Sequence, residues 1–305
     1  MRRLALLVTA SVAATTGVTA CSPTDDDGAS TPSPSSSAGV TSASSSAAPS
    51  GAVPGCTPDT LSTVADGRIT IATDSPAYEP WFVSNDPTNK QGFESAVAYA
   101  ITDKLGYADD AVAWTTVPFT AAISPGPKDF DFDINEFSIT NKRKKAVDFS
   151  SPYYTATQAV VTTAGSKAAS ATTIAELKAL KIGAQVSTTS LDILNAVIDP
   201  STPAAVYNTN DDAKLALQNG QIDALVVDLP TAFYITSAEL DNGVIVGQLP
   251  DPGSEIGDQF GVVLDKDSAL TDCVSKAVDA LKADGTLDDL QQKWLAEVAD
   301  APVLS

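Results

Sequence analysis

The segment DFDINEFSITNKRKKAVDFSSPYY, residues 131–154, decides the fold. Its first four residues, 131–134, alternate acidic and apolar side chains and predict a short β-strand. The mostly polar stretch 135–145 follows at once and carries four basic side chains. Ligands of open α/β sheets bind beyond the carboxyl ends of the strands, so this loop is a candidate ligand site.

The rest of the chain repeats this change from strand to helix. Short apolar or β-branched runs predict further strands at 68–74, 111–116, 181–186 and 222–227. Apolar spacing and helix start and stop signals predict helices at 92–105, after the capping box 173–176, and at 211–218, 270–283 and 287–298. The strand at 222–227 is too apolar for a sheet with one exposed face, so we expect it at a sheet centre. This alternation predicts an α/β fold with mainly parallel sheets.

Charge and composition exclude several functions. The 305 residues include 18 Lys and Arg against 38 Asp and Glu, a formal net charge of −20, and no His. Such acidity excludes nucleic acid as a partner, because phosphates require basic surfaces. Without His, most zinc sites and every Ser-His-Asp mechanism are excluded, and no calcium-loop pattern is present, so we expect no metal or other cofactor.

The first 20 residues are typical of a secretion signal. A basic start precedes an apolar run of 11 residues at 4–14, which is too short to span a bilayer. The tetrapeptide VTAC at 18–21 resembles a bacterial lipobox, in which cleavage leaves a lipid on Cys21. The mature protein would then be held on the outer face of the cytoplasmic membrane. The alternative is an ordinary signal peptide cut near Ala20.

The next stretch predicts a disordered tether that runs from the lipidated Cys21 to residue 55. Ser, Thr, Pro, Ala and Gly fill 29 of the 34 positions at 22–55, so the stretch does not form a core. If Cys21 is lipidated, Cys56 and Cys273 remain. An even pair outside the cytoplasm predicts a disulfide, with two buried free thiols as the alternative.

Two more loops bring polar or aromatic residues to strand ends. Residues 74–82 hold two carboxylates and three aromatic rings, with Asp74 and Trp81 among them. Residues 186–190 place hydroxyls at a helix start, where free N–H groups favour carboxylates. Each loop alone has an ordinary structural explanation, such as a helix cap or a packed ring. Their shared place at strand ends favours a ligand site.

The string SITNKR at 138–143, followed by VDFSSPY at 147–153, resembles the signature of the family 3 extracellular solute-binding proteins. These proteins serve polar amino acid ABC transporters. Further matches follow the family order, and they lie at 73–81, 92–94, 187–189, 220–228 and 282–287. The similarity spans about 66–298, which is essentially the whole folded part.

The resemblance implies a two-lobed, type II periplasmic-binding-protein fold with two hinge crossovers. Lobe 1 would comprise 57–155 plus 260–305, and lobe 2 would comprise 159–252. The crossovers would lie near 155–158 and 253–259. Both candidate disulfide cysteines would then fall in lobe 1.

The resemblance also implies roles for single residues. Arg143 would hold the α-carboxylate of an amino acid through its planar fork of donors. Asp228 would take the α-ammonium. Hydroxyls around the head group and rings around the side chain complete the set, namely Ser138, Thr188, Thr189, Tyr78 and Phe119.

Three departures from the family pattern concern the ligand side chain. Asn-Glu-Phe at 135–137 replaces a small or Gly-containing stretch, the Asp74 loop is one residue longer, and Ser187 replaces a Gly. The carboxylates of Asp74, Glu79 and Glu136 are consistent with a cationic or amide side chain.

The predicted function is the extracellular substrate-binding component of an ABC importer. A monomer would close on a polar amino acid, without chemistry, and deliver it to a membrane permease. One alternative on the same fold is a cyclohexadienyl-dehydratase-like enzyme with Glu136 or Asp133 as general acid. Another is a ligand-sensing subunit that reports to a membrane kinase.

Overall fold

The computed structural model describes residues 51–250, 259–295 and 301–305. Several predicted features lie wholly or mostly outside these residues, namely the signal peptide 1–20, the lipidated Cys21, the tether 21–55 and the crossover 253–259. Within the described residues, no helix is both long and apolar enough to cross a membrane.

The described chain alternates short strands with helices. The strands are β1 Ile69–Thr73, β2 Val112–Thr116, β3 Phe132–Asp133, β4 Asp148–Phe149, β5 Tyr154–Thr155, β6 Gln158–Thr163, β7 Ile182–Gln185, β8 Ala205–Tyr207, β9 Ala224–Asp228, β10 Gly243–Gln248, β11 Gln259–Phe260 and β12 Val263–Leu264. The helices are α1 Phe93–Lys104, α2 Phe119–Ala122, α3 Ile174–Leu177, α4 Thr189–Ile193, α5 Asn210–Gln218, α6 Leu229–Tyr234, α7 Thr271–Ala283 and α8 Thr286–Leu295.

Two five-stranded sheets organise these elements. The sheet of lobe 1 has the order β2-β1-β3-β12-β4, and the sheet of lobe 2 has the order β10-β6-β9-β7-β8. A separate antiparallel pair, β5 with β11, lies in the chain where it passes from one sheet to the other. The apolar strand β9 is the middle strand of its sheet, as its composition predicts. This is the two-lobed α/β architecture that the sequence predicts.

The expectation of mainly parallel sheets is wrong. β1 is parallel to β2 and β3, and β7 is parallel to β8 and β9. β6 is antiparallel to β9 and β10, and β12 is antiparallel to β3 and β4. Two residues separate β5 from β6 and β11 from β12, so β6 and β12 begin at the end of the sheet where their neighbours stop. They therefore run in the opposite direction.

Helices α1, α7 and α8 pack together on the sheet of lobe 1. The inner face of α1 carries Phe93, Val97 and Ile101, all with 0% exposure, at the helical spacing that the sequence predicts. The predicted disulfide joins Cys56 to Cys273 on α7, with the Cα atoms 5.5 Å apart. It links the start of the folded domain to its last helices.

The predicted tether extends too far toward the domain. Val53 is buried in the core of lobe 1, and its N–H donates to the Lys104 carbonyl at 2.8 Å. One apolar side chain among small residues is therefore enough to dock the end of the tether. The folded domain begins at Val53 or earlier.

The last five residues depart from the predicted lobe 1 range of 260–305. They run beside β10, where the Gln248 N–H donates to the Pro302 carbonyl at 2.7 Å and the Leu304 N–H donates to the Gln248 carbonyl at 2.9 Å. Leu304 is buried in the core of lobe 2. β10 is an edge strand, so the tail satisfies backbone groups that the sheet leaves unpaired.

Gly247 tests this packing. A Cβ built there would lie 2.7 Å from the Pro302 carbonyl oxygen and 2.8 Å from Leu304 Cγ. We expect Gly247→Ala to lower the free energy of unfolding by about 1–3 kcal/mol in guanidinium titrations, because the tail must shift. Gly165→Ala is the control, since a Cβ there meets nothing within 4 Å. Equal effects of the two substitutions would contradict the tail packing.

The disulfide should contribute strongly to stability. It links residues 217 positions apart, and the loop-entropy relation gives about 5 kcal/mol as an upper limit. We expect the Cys56→Ser/Cys273→Ser variant to lose about 2–5 kcal/mol of unfolding free energy. Reduced wild type should match the variant, and a variant as stable as oxidised wild type would contradict the bond's role.

Candidate ligand-binding site

A cavity lies where strand ends of the two sheets face each other. Its lobe 1 side comes from the loop after β1, the start of α2, residues 135–136 after β3, and Arg143. Its lobe 2 side comes from residues 188–190 after β7, residues 209–210 at the start of α5, and the end of β9. Strand ends from both sheets therefore converge on one small polar chamber.

The structure brings eight of the ten predicted ligand residues together in the lining, namely Asp74, Tyr78, Phe119, Glu136, Arg143, Thr188, Thr189 and Asp228. Ser138 lies beside the cavity and pairs with Thr189 across the cleft, at 3.0 Å between hydroxyl oxygens. Trp81 is placed elsewhere. It is 1% exposed and packs edge-on against Phe93 and Tyr154 in the core of lobe 1.

Arg143 connects the two lobes. Its Nη1 donates to the Ser138 carbonyl at 2.7 Å, and its Nη2 donates to the Ser187 carbonyl of lobe 2 at 2.9 Å. The Phe119 ring lies 5.3 Å from the guanidinium carbon. Burial lowers the pKa of Arg143 to about 10, which keeps it charged at neutral pH. A guanidinium has five N–H donors, so donors remain for an anionic group in the cavity.

Thr188 and Thr189 open helix α4. The Thr188 hydroxyl donates to the Gln185 carbonyl at 2.7 Å and accepts the Leu191 N–H at 3.2 Å, so it serves as an N-cap. The Thr189 hydroxyl faces Ser138. The ordinary capping explanation therefore applies to the Thr188 hydroxyl, even though the residue lines the cavity.

Asp228 ends β9 and faces the cavity. The Gln158 side-chain amide donates to Asp228 Oδ1, and the Ser190 hydroxyl donates to Gln158 Oε1 at 2.6 Å. Burial raises the pKa of Asp228 to about 7, although Gln158 and the Arg143 charge oppose that shift. The carboxylate is thus oriented, and a cation in the cavity would lower its pKa again.

Glu136 has a left-handed backbone, with φ 49°. Its N–H donates to Glu94 Oε1 at 2.7 Å, and its carboxylate accepts the Thr231 hydroxyl at 2.8 Å. Burial, together with the charges of Asp228 and Glu94, raises the pKa of Glu136 well above its ordinary value. A third buried carboxyl, Glu94 in the first turn of α1, also accepts the Tyr153 hydroxyl.

The other predicted lining residues are also fixed by contacts. Phe119 stacks on Phe137 with ring centroids 4.8 Å apart, and its N–H donates to Asp74 Oδ2 at 3.0 Å. The Tyr78 hydroxyl accepts the Asp211 N–H of lobe 2 at 3.2 Å. Burial raises the pKa of Tyr78, so its hydroxyl keeps its proton. Asp74 thus holds the start of α2 while it lines the cavity.

Sequence reasoning missed several residues that line or support the cavity, namely Glu94, Gln158, Gln185, Ser190, Asn210 and Thr231. Ser190 lay inside the hydroxyl-rich loop at 186–190, and a polar Gln158 at the start of an apolar strand was a usable signal. Glu94 lies in the family match at 92–94, whereas Thr231 gave no local signal, because its partners are distant in sequence.

Glu94 predicts a pH dependence of stability. Burial raises its pKa from 4.5 to about 8 in the folded protein. Between these values the folded state keeps a proton that the unfolded state releases, so stability falls as pH rises from about 5 to 8. We expect Glu94→Gln to reduce the fall in unfolding free energy between about pH 5 and 8 by on the order of a few kcal/mol. Denaturant titration of ligand-free protein measures this.

The pKa of Asp228 is also raised by burial, so stability should still fall somewhat with pH in the Glu94→Gln variant. Glu176→Gln is the matched control, because Glu176 lies in an exposed capping box and its pKa is lowered. It should leave the decline between pH 5 and 8 unchanged. An unchanged slope in Glu94→Gln would show that Glu94 does not hold its proton in the folded state.

Two sheets that enclose a polar cavity, with side chains from both meeting across it, define a two-lobed solute-binding protein. The chain belongs to the bacterial extracellular solute-binding proteins, family 3, whose family model matches residues 69–297. This finding confirms the resemblance carried by the SITNKR and VDFSSPY strings.

Two relatives and a solved structure resemble the chain over most of their length. An L-arginine-binding protein of Pseudomonas aeruginosa is 27% identical, over 76% of this chain and 89% of the relative. A probable histidine-binding protein of Campylobacter jejuni is 28% identical, over 79% of this chain and 91% of the relative. The structure of an ancestral arginine-binding protein bound to arginine has a TM-score of 0.63 and 30% identity, over 75% of this chain and 98% of that one.

Proposed function

We propose that this protein is the substrate-binding component of an ABC importer and that it encloses a cationic amino acid between its lobes. The observation that carries the proposal is the charge pattern of the cavity. The buried guanidinium of Arg143 shares the lining with the carboxylates of Asp74, Glu136 and Asp228. A ligand with one carboxylate and two cationic groups complements this pattern.

The head group would bind between Arg143 of lobe 1 and Asp228 of lobe 2. Arg143 is held by two carbonyls and a ring, so its remaining donors are oriented for a bidentate bond to an α-carboxylate. Asp228, oriented by Gln158, would accept the α-ammonium. Ser138 and Thr189, which pair across the cleft, lie beside this head group.

The acidic residues favour a cationic ligand side chain over a neutral one. Glu136 and Asp74 line the same cavity, and Tyr78 and Phe119 supply aromatic surface for an extended stem or a cation. The relatives described above that bind arginine or histidine agree with this preference. A neutral ligand would leave these carboxylates without a cation in a buried site, which is unfavourable.

Closure would follow from contacts that only the closed state provides. We assign lobe 1 to 53–155 plus 260–295 and lobe 2 to 159–250 with the tail 301–305. The β5–β11 pair belongs to the two crossovers, which form the hinge. A ligand that contacts both lobes at once stabilises the closed arrangement by its differential affinity.

Outside the cell, the domain would be a monomer anchored through a lipid on Cys21 after removal of residues 1–20. The segment 22–55 would separate lipid and domain by on the order of 30 Å, although Val53 shortens the free part slightly. The permease would receive the ligand from the closed protein. The lipobox and the composition of the segment support this arrangement.

Binding without turnover fits the cavity better than a dehydratase. Asp133, one candidate general acid, is fully buried in β3 and does not line the cavity. Glu136 does line it, but it is held by Thr231. Incubation with prephenate and arogenate, followed by product analysis, tests the enzyme alternative, and product formation would contradict our proposal.

Thermal unfolding tests ligand binding. Residues 51–305, unfolded and refolded with the disulfide intact to remove ligand, should be stabilised by arginine or lysine. A ligand at 1,000 times its Kd contributes about 4 kcal/mol, which corresponds to about 8–16 °C. Arg143→Ala and Asp228→Asn should abolish the shift, because each removes one head-group partner.

Lys144→Ala is the matched control, since Lys144 is an exposed cation beside Arg143. It should keep the full shift. A shift with glutamate or leucine equal to that with arginine would contradict the cationic preference. No shift with any of the twenty amino acids would contradict the proposed function itself.

A further inference from the structure

Thr231 lies on α6, three residues after Asp228, and is 1% exposed. It does not belong to the lining of the cavity. Its hydroxyl lies between two groups of lobe 1. Trp81 Nε1 is 2.8 Å away on one side, and Glu136 Oε2 is 2.8 Å away on the other. The Thr231 side chain of lobe 2 thus connects Trp81, in the core of lobe 1, to Glu136, in the loop after β3.

The direction of these two hydrogen bonds is fixed by chemistry. An indole nitrogen only donates, and the carboxylate of Glu136 only accepts once a cation in the cavity lowers its raised pKa and ionises it. A hydroxyl can accept from the first and donate to the second at the same time. The Trp81 indole N–H therefore donates to the Thr231 oxygen, and the Thr231 hydroxyl donates to the Glu136 carboxylate.

The backbone of Glu136 is also fixed by a hydrogen bond. Its N–H donates to the buried carboxyl of Glu94 at 2.7 Å, in a left-handed conformation that non-glycine residues rarely adopt. The loop is thus fixed on lobe 1, while the carboxylate is oriented from lobe 2. Trp81 is in turn fixed by its edge-on contacts with Phe93 and Tyr154.

We infer that Thr231 is a positioning residue of the ligand site, which orients the Glu136 carboxylate toward the cationic side chain of the ligand when the lobes close. This inference rests on the proposed function and extends it to selectivity. The open protein lacks the contact between the lobes, so Glu136 is oriented for a cation only in the closed state. Closure and preference for a cationic side chain are then coupled through one hydroxyl.

Thr231→Val tests the inference, because valine has nearly the same shape and no hydroxyl. Calorimetry should compare the Kd of arginine with that of glutamine, whose side chain is neutral. We expect arginine to bind about 10- to 100-fold more weakly, as for the loss of a hydrogen bond to a charged group. Glutamine should lose much less, so the ratio of the two Kd values should fall.

Thr231→Ser is the matched control, since it keeps the hydroxyl and should bind arginine within a few-fold of wild type. In a Glu136→Ala background, Thr231→Val should have little further effect on arginine, because the group that it positions is gone. Thr231→Ala serves as a second variant if the valine protein unfolds. Denaturant midpoints of all variants establish that they are folded.

Three results would overturn the inference. These are an unchanged arginine Kd in a folded Thr231→Val protein, equal losses for arginine and glutamine, and additive effects with Glu136→Ala. In each case wild type still binds arginine, so the proposed function survives. If wild type binds neither amino acid, the proposed function fails first, and the inference fails with it.

Discussion

The site depends on a buried guanidinium that bonds to both lobes. Arg143 is 7% exposed and donates to a carbonyl on its own loop and to a carbonyl on the loop after β7. A buried charge is unfavourable unless polar groups compensate it, and carbonyl oxygens do so without neutralising it. The positive charge therefore remains available to the cavity. The same bonds place the start of α4 against lobe 1, so the charge and the closure of the cleft share one set of contacts.

The carboxylates around this guanidinium explain why closure should depend on a ligand. Burial raises the pKa of Glu94, Glu136 and Asp228, and the charge of Asp228 raises the pKa of Glu94 and Glu136 further. Bringing them together is unfavourable while they are ionised. A ligand with cationic groups removes much of that penalty, but only where both lobes surround it. Under the proposed function, the acidic cavity would favour a cationic ligand, and closure would depend on that ligand.

Much of the fold and most of the cavity lining could be predicted from sequence, because strand ends and loop composition are local signals. The middle position of β9 and the disulfide followed from such signals. What could not be predicted depends on long-range packing. Trp81 lies in a loop of candidate ligand residues, yet aromatic neighbours draw its ring into the core. Its bond to Thr231 spans 150 positions, and Thr231 bonds Glu136 across 95. The docking of Val53 and of the tail 301–305 likewise depends on surfaces that only the folded lobes create.

Glu136 shows how a departure from the family pattern is accommodated. The pattern has a small or Gly-containing stretch at 135–137, and the backbone here is left-handed, a conformation that glycine adopts without strain. A glutamate at this position strains the backbone but supplies a carboxylate inside the cavity. Glu94 compensates by accepting the N–H of that residue, and Thr231 orients the new carboxylate. Since strain of this kind persists only where surrounding contacts maintain it, the contacts of Glu94 and Thr231 connect this local substitution to the closed arrangement of both lobes.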